Sequence, residues 1–221
     1  MSDITVLGIF VADISFSGNK LPSMGETILG DSYNVGPGGK GCNQAIAISR
    51  LGGKVKFISK LGDDDYGKLA INKLKKDNID TSNIIISNKH KTGVAGIHVD
   101  RNTGKNAITV VRGAPSSLTT KEVDTSLFKQ SKIFLTQLEI PIEVTLHCLK
   151  AAKKYGLINI LNPAPACELS NDFFKLVDYF TPNETEAEFY TGVKINNEND
   201  AKKKKKKLIE MGIKKVIITL G

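Results

Sequence analysis

Within the run Gly36-Pro37-Gly38-Gly39-Lys40-Gly41-Cys42-Asn43-Gln44-Ala45, glycines crowd around one lysine and one asparagine, and a helical apolar pattern follows directly. Glycine lets a backbone approach a ligand closely. The amides that open the following helix can face something polar or anionic, and Lys40 and Asn43 add a charge and an amide at the same mouth. Carboxylates recur after other apolar runs. Asp13 stands just past the first one, where it can accept hydrogen bonds from hydroxyls; a turn or cap is its plainer role. Glu139 follows Leu135-Thr136-Gln137-Leu138 and precedes Pro141, facing a crevice or starting a helix. Asn183 and Glu186 lie three apart after Phe180-Thr181-Pro182. They can cap a helix, or share one face and approach a hydrated Mg2+ beside phosphates.

Two readings of the glycine run fail. A Walker loop needs a glycine five positions before the Gly-Lys pair and a Ser or Thr after the lysine; those positions hold Asn34 and Gly41. A dinucleotide fingerprint closes the first strand of a compact strand-helix-strand unit, whereas this run follows the polar, hairpin-like stretch Glu26 to Val35.

Positioning these residues requires a scaffold, and its rhythm is visible. Core strands are expected at Ile4–Ile9, Val55–Ser59, Lys132–Leu135, Leu157–Leu161, Asp178–Thr181 and Lys215–Leu220. Helices are expected at about Lys40–Leu51, Tyr66–Asn78, Ile142–Tyr155, Glu184–Thr191 and Asn199–Met211. The alternation implies an α/β chain with a parallel central sheet covered by helices on both faces, and such sheets bind ligands beyond their carboxyl ends. Asp13 to Val35 and Thr92 to Val111 break the rhythm. The second reads as a hairpin, and the two segments are expected to pair as a small β-sheet lid.

Composition removes several function classes. No apolar run is long enough to span a membrane, and the start lacks a basic segment before an apolar core, so a cytoplasmic protein is expected. Only three of the 31 basic residues are arginines, and there is no tryptophan for base stacking, so the net charge of +8 does not indicate nucleic acid. Lys202 to Lys207 would cover every face of a helix rather than one stripe, which reads as a solvated segment. Cys42, Cys148 and Cys167 match no metal spacing, and His90, His98 and His147 form no ligand pair.

Several strings carry a resemblance: Gly25-Glu26-Thr27, Gly38 to Ala45, Leu61-Gly62-Asp63-Asp64, Thr92-Gly93-Val94-Ala95, Gln137-Leu138-Glu139, Asn162-Pro163-Ala164-Pro165-Ala166, Thr181 to Ala187 and Ile218-Thr219-Leu220-Gly221. With them the chain resembles the ribokinase-like (PfkB) sugar kinases from about Val6 onward. The resemblance implies a three-layer α/β/α domain over 1–221 with lid segments at about 13–35 and 92–112. It implies ATP-dependent phosphorylation of the primary hydroxyl of a sugar, D-ribose foremost. Asp13, Gly38, Gly39, Lys40, Asn43 and Glu139 would hold the sugar. Asn183, Thr219, Leu220 and Gly221 would meet ATP, and Glu186 would help place Mg2+. It implies a homodimer formed through the lid.

Two departures qualify this. The usual Asn-x-Asp reads Val11-Ala12-Asp13 here, removing one sugar-contacting amide. The family's Gly-Ala-Gly-Asp turn, source of the catalytic aspartate and the anion hole, is absent; K+ and most adenine contacts are expected from that same segment. An inactive chain on its own is therefore expected. The alternatives are another acceptor (a pentose, nucleoside or sugar phosphate, for which Arg101, Lys105 and Arg112 are available) and a remnant that binds sugar or a partner without transferring phosphate.

Overall fold

The computed structural model describes residues 3–192 and 198–220. In chain order the strands are β1 (Ile4–Leu7), β2 (Val11–Gly18), β3 (Ser32–Gly38), β4 (Val55–Gly62), β5 (Ile84–Ser87), β6 (Thr92–Asp100), β7 (Asn106–Gly113), β8 (Ile133–Thr136), β9 (Ile158–Leu161), β10 (Tyr179–Phe180) and β11 (Lys215–Val216). The helices are α1 (Lys40–Arg50), α2 (Asp65–Lys76), α3 (Ile142–Lys154), α4 (Asn171–Phe174), α5 (Glu184–Thr191) and α6 (Glu198–Glu210).

Seven strands form one sheet in the order β11-β10-β9-β8-β1-β4-β5, every pair parallel. The layering follows from side-chain alternation along each strand. Val6 and Phe57 belong to an apolar cluster with Cys42, Ala45, Ala70 and Leu74 of α1 and α2. Their neighbours Leu7 and Ile58 belong to a second cluster, with Val144, Cys148 and Leu149 of α3 and Phe173 of α4. Helices therefore cover both faces, as expected. The order of strands reverses beside β1, which has β4 on one side and β8 on the other.

The two segments that broke the rhythm do pair. β2 joins β6 in parallel, β3 and β7 add antiparallel edges, and a four-stranded sheet β3-β2-β6-β7 results. Pro37 sits in β3, an edge strand, where its missing N–H is tolerated.

Several expected boundaries shift. β1 stops at Leu7 rather than Ile9, and Asp13 lies inside β2 rather than in a turn. Gly36-Pro37-Gly38 is strand, so only Gly39 remains to connect β3 to α1. β11 ends at Val216; Thr219 instead forms an isolated bridge with Asn183. The edge strand β5, the single turn α4 and the 3-10 turns between Ala114 and Gln130 were not expected. The lysine run is helical, yet Lys204 is buried, with its ammonium 3.8 Å from Glu188. One member of a segment read as solvated is thus inside. Among the described residues no helix is long and apolar enough to cross a membrane.

Candidate active site

Because every strand of the large sheet is parallel, the segments after β1, β8, β10 and β11 emerge on one edge. Beside β1 the chain passes close to itself. A Cβ at Gly8 would lie 2.8 Å from the Cα of Gly41, and one at Gly41 would lie 2.7 Å from the Cα of Gly8. The first turn of α1 thus abuts the exit of the central strand, and the Cys42 amide donates to the Ile9 carbonyl at 3.2 Å. Gly39 makes this junction with φ of +91°, and a Cβ there would fall 2.5 Å from the Ile9 oxygen. These glycines serve helix–strand contact as much as approach by a ligand.

Gly38 does something different. A Cβ built on it would be 2.0 Å from Oδ1 of Asp13, so the Asp13 carboxylate occupies the space that the missing side chain leaves. Half-buried there, Asp13 has its pKa pushed up by burial. Across the mouth, Glu139 Oε2 accepts the amide of Lys40, the first residue of α1, at 2.9 Å. Burial pushes the Glu139 carboxyl up as well, opposed by the Lys40 amide and charge, the Arg112 charge and the Gly41 amide. Two carboxylates therefore flank the open end of one helix, with the exposed side chains of Lys40 and Asn43 beside them. Acceptors for hydroxyls and donors for an oxyanion stand together.

Asn183 and Glu186 form a second group on the same edge. The Asn183 side chain accepts the Glu186 amide at 2.8 Å, and Glu186 Oε2 accepts the Asn183 amide at 2.9 Å. This is a capping box at the start of α5, so the plainer of the two roles is realised. The Thr219 amide donates to Pro182 at 3.0 Å, which sets Thr219 beside Asn183. Leu220 is about half exposed, and Gly221 lies outside the described residues. Among the described residues no three His, Cys, Asp or Glu side chains converge as a metal cage. One carboxylate near phosphates suits a hydrated Mg2+, which keeps several waters.

Sequence reasoning passed over some positions. Gln137 is buried and donates through Nε2 to Gln44 Oε1, tying β8 to α1. Asp64 accepts the Gly67 amide at 2.8 Å, capping α2, and the Thr92 amide at 2.8 Å, anchoring β6. A cavity of about 330 Å3 beside Glu139 also includes Arg112, Ser116, Pro165 and Cys167. Of these, Arg112 was already available by sequence as a cation for the crevice, and Gln137 stood out as a polar residue at an apolar strand exit; the partners of Asp64 left no such signal. Val11, where an amide was expected, is buried in β2 two residues from Asp13.

Known proteins resemble this arrangement. The description "pfkB family carbohydrate kinase" matches residues 1–221. The chain is 42% identical over 220 residues to the ribokinase of Haemophilus influenzae, covering 99% of itself and 72% of that protein. It is 33% identical over 222 residues to the deoxyribokinase of Salmonella typhimurium, covering 99% and 72%. A solved ribokinase of Arabidopsis thaliana, complexed with ribose and ATP, superposes with a TM-score of 0.92 at 29% identity, over 100% of this chain and 73% of that one. With a sheet, a small second sheet and a carboxylate-flanked helix mouth of this kind, the chain belongs to the pfkB family of carbohydrate kinases.

Proposed function

We propose that the chain carries the sugar site and part of the nucleotide site of an ATP-dependent ribokinase. The observation that carries this is the pair Asp13 and Glu139, set on either side of the α1 N-terminus at the point where strand order reverses. Ligands bind at such a switch point in open α/β sheets. Asp13, Gly38, Gly39, Lys40, Asn43 and Glu139 take the sugar through its hydroxyls. Asn183, Thr219 and Leu220 take ATP, and Glu186, whose Oε2 serves the helix cap, would help hold its hydrated Mg2+. When bound there, Mg2+ would supply neutralisation of the phosphate charge that develops during transfer.

The small sheet acts as a lid that excludes water from the transfer, inserted into a single domain spanning 1–221. It also pairs with a second copy of the chain. Support comes from Phe16 and Tyr33, 43% and 73% exposed, which share one face with His98. The spaced, reduced thiols Cys42, Cys148 and Cys167 fit a cytoplasmic setting.

A base must orient the attacking hydroxyl. The turn that carries it in the resemblance, together with the expected K+ site, has no counterpart within residues 1–221. These residues alone therefore bind sugar without transferring phosphate at an appreciable rate. Calorimetric titration with D-ribose, 2-deoxy-D-ribose, a nucleoside and a ketose phosphate tests the site, with ADP release followed in parallel. Ribose binding that is lost in Asp13→Ala and Glu139→Ala supports the reading. Absence of any sugar binding would sink it. 2-Deoxyribose is the second acceptor to weigh, because the apolar Val11 stands beside Asp13 where an amide was expected.

A further inference from the structure

Three cations were available to the crevice by sequence, and the structure separates them. Arg101 is paired with Asp31 at 2.6 Å at the far end of the lid, and Lys105 lies in the β6–β7 turn. Arg112 alone of the three lines a cavity shared with Glu139. Nothing in the body of the protein needs it for packing: it is exposed, and no ion pair within 4.0 Å is formed by its guanidinium among the described residues.

Its backbone, by contrast, is held firmly. The next residue, Gly113, turns with φ of +66°, and a Cβ there would lie 2.5 Å from both the Gly93 nitrogen and the Lys91 oxygen. A Cβ at Gly93 would lie 2.4 Å from the Arg112 carbonyl oxygen. The Ala114 amide closes the junction on Lys91 O at 2.7 Å. Two close backbone approaches thus pin Arg112 at the root of the lid, where that root meets the body, rather than at its free end.

Glu139 is the group in need. It is a half-buried carboxylate that accepts backbone amides from the start of α1, while the Lys40 side chain extends into solvent. Keeping such a carboxylate charged takes nearby positive charge; Lys40 supplies part of it from a solvent-exposed side chain, and Arg112 is the other cation beside it. The charged or titratable groups around it are Lys40 on α1, Arg112 on β7 and the Cys167 thiol on the loop after β9; Asp13 on β2 lies over Gly38. We infer that Arg112 is a positioning residue for Glu139, supplying from the lid root the counter-charge that keeps this carboxylate aimed at the helix mouth and available to sugar hydroxyls. The burial that raises Glu139 and the Arg112 charge that lowers it agree with this placement. For the sugar, the inference rests on the function proposed above; for Glu139 itself it does not.

Two measurements on the 221-residue chain test it. The first follows the side-chain carboxyl 13C resonance of Glu139 from pH 3 to 8 without sugar, in the wild type and in Arg112→Ala, Arg112→Gln and Arg112→Lys. The expected result is a titration midpoint about one pH unit higher in the Ala and Gln variants, restored by Lys. An unmoved midpoint, or one that Lys fails to restore, overturns the inference. The second titrates D-ribose over the same range. Loss of affinity on acidification should set in at higher pH in Arg112→Ala, leaving about fivefold weaker binding at the wild-type midpoint and little change at pH 8. Equal weakening at every pH would mean a merely structural role and would overturn it. If wild type binds no ribose yet the carbon midpoint moves as expected, the sugar reading fails while the Arg112–Glu139 relationship stands.

Discussion

Glu139 Oε2 lies 2.9 Å from the Lys40 amide although 99 residues separate them. A carboxylate at the exit of β8 thereby serves the first residue of the helix that follows β3, an edge strand of the small sheet. Anionic groups are favoured at helix N-termini because unpaired amides and the aligned peptide dipoles face them. The same position therefore suits both a structural carboxylate and an incoming anion, and Glu139 borders both.

Replacing Glu139 should separate these duties. Glu139→Gln keeps an acceptor for the Lys40 amide but loses the charge. Sugar affinity should fall about 10- to 100-fold, the equivalent of roughly 1.5–3 kcal/mol for hydrogen bonds to a charged group. Calorimetry with ribose reads this. Unchanged affinity would remove Glu139 from the site.

The Gly38-Gly39 pair gives a second prediction with two different outcomes. Gly39→Ala meets a positive φ and the Ile9 oxygen, so it should lower stability by about 1–3 kcal/mol, read by urea unfolding. Gly38→Ala instead meets only the movable Asp13 carboxylate, so it should displace that group and weaken sugar binding with little loss of stability. If Gly38→Ala retains wild-type affinity, Asp13 is not a sugar contact.

Asp64 ties α2 to the lid, and its loss should be felt in both. Burial works against its charge, but the Thr92 and Gly67 amides prevail and hold it below the usual carboxylate value. A depressed carboxylate contributes stability that is present above its unfolded pKa and lost as pH falls through the folded one. Asp64→Ala should therefore cost about 2 kcal/mol at pH 7. The difference from wild type should shrink below about pH 4, which thermal unfolding across pH 2 to 7 would show.

Lys204 offers a test in the opposite direction. Its burial pushes the ammonium pKa down, with Glu188 only partly compensating at 3.8 Å. Replacing an imperfectly paired buried charge by an apolar side chain is often neutral or stabilising. Lys204→Met should raise stability by about 1 kcal/mol, and a loss of more than that would show the ammonium to be fully satisfied.

Much of the scaffold was legible because its signals are periodic. The start of α1 and the full span of α5 follow from apolar spacing and, for α5, from the Asn183 cap. Shorter or polar features were not. β11 is regular only to Val216; beyond it the Ile217 amide still bonds Phe180 and Thr219 bridges Asn183, while Ile217 and Leu220 are about half exposed, which an apolar run does not foretell. Asp13 was expected just past the first strand, as a crevice carboxylate or a turn residue, because a polar residue after an apolar run does not announce the second strand that holds it. Lys204 looked solvated because the other five lysines of the run hide which one turns inward. Partnerships such as Asp64–Thr92 and Lys40–Glu139 join distant segments and leave no local pattern at all.

The single-residue connection between β3 and α1 also limits how the gene can change. With strand to Gly38 and helix from Lys40, an inserted or deleted codon there would rotate the helix mouth or flip the strand's faces. Residues 19–31 and 101–105, at the free end of the small sheet, carry no such constraint. Length variation among relatives should accumulate at those two tips, and they are the natural places to splice in a tag or a reporter.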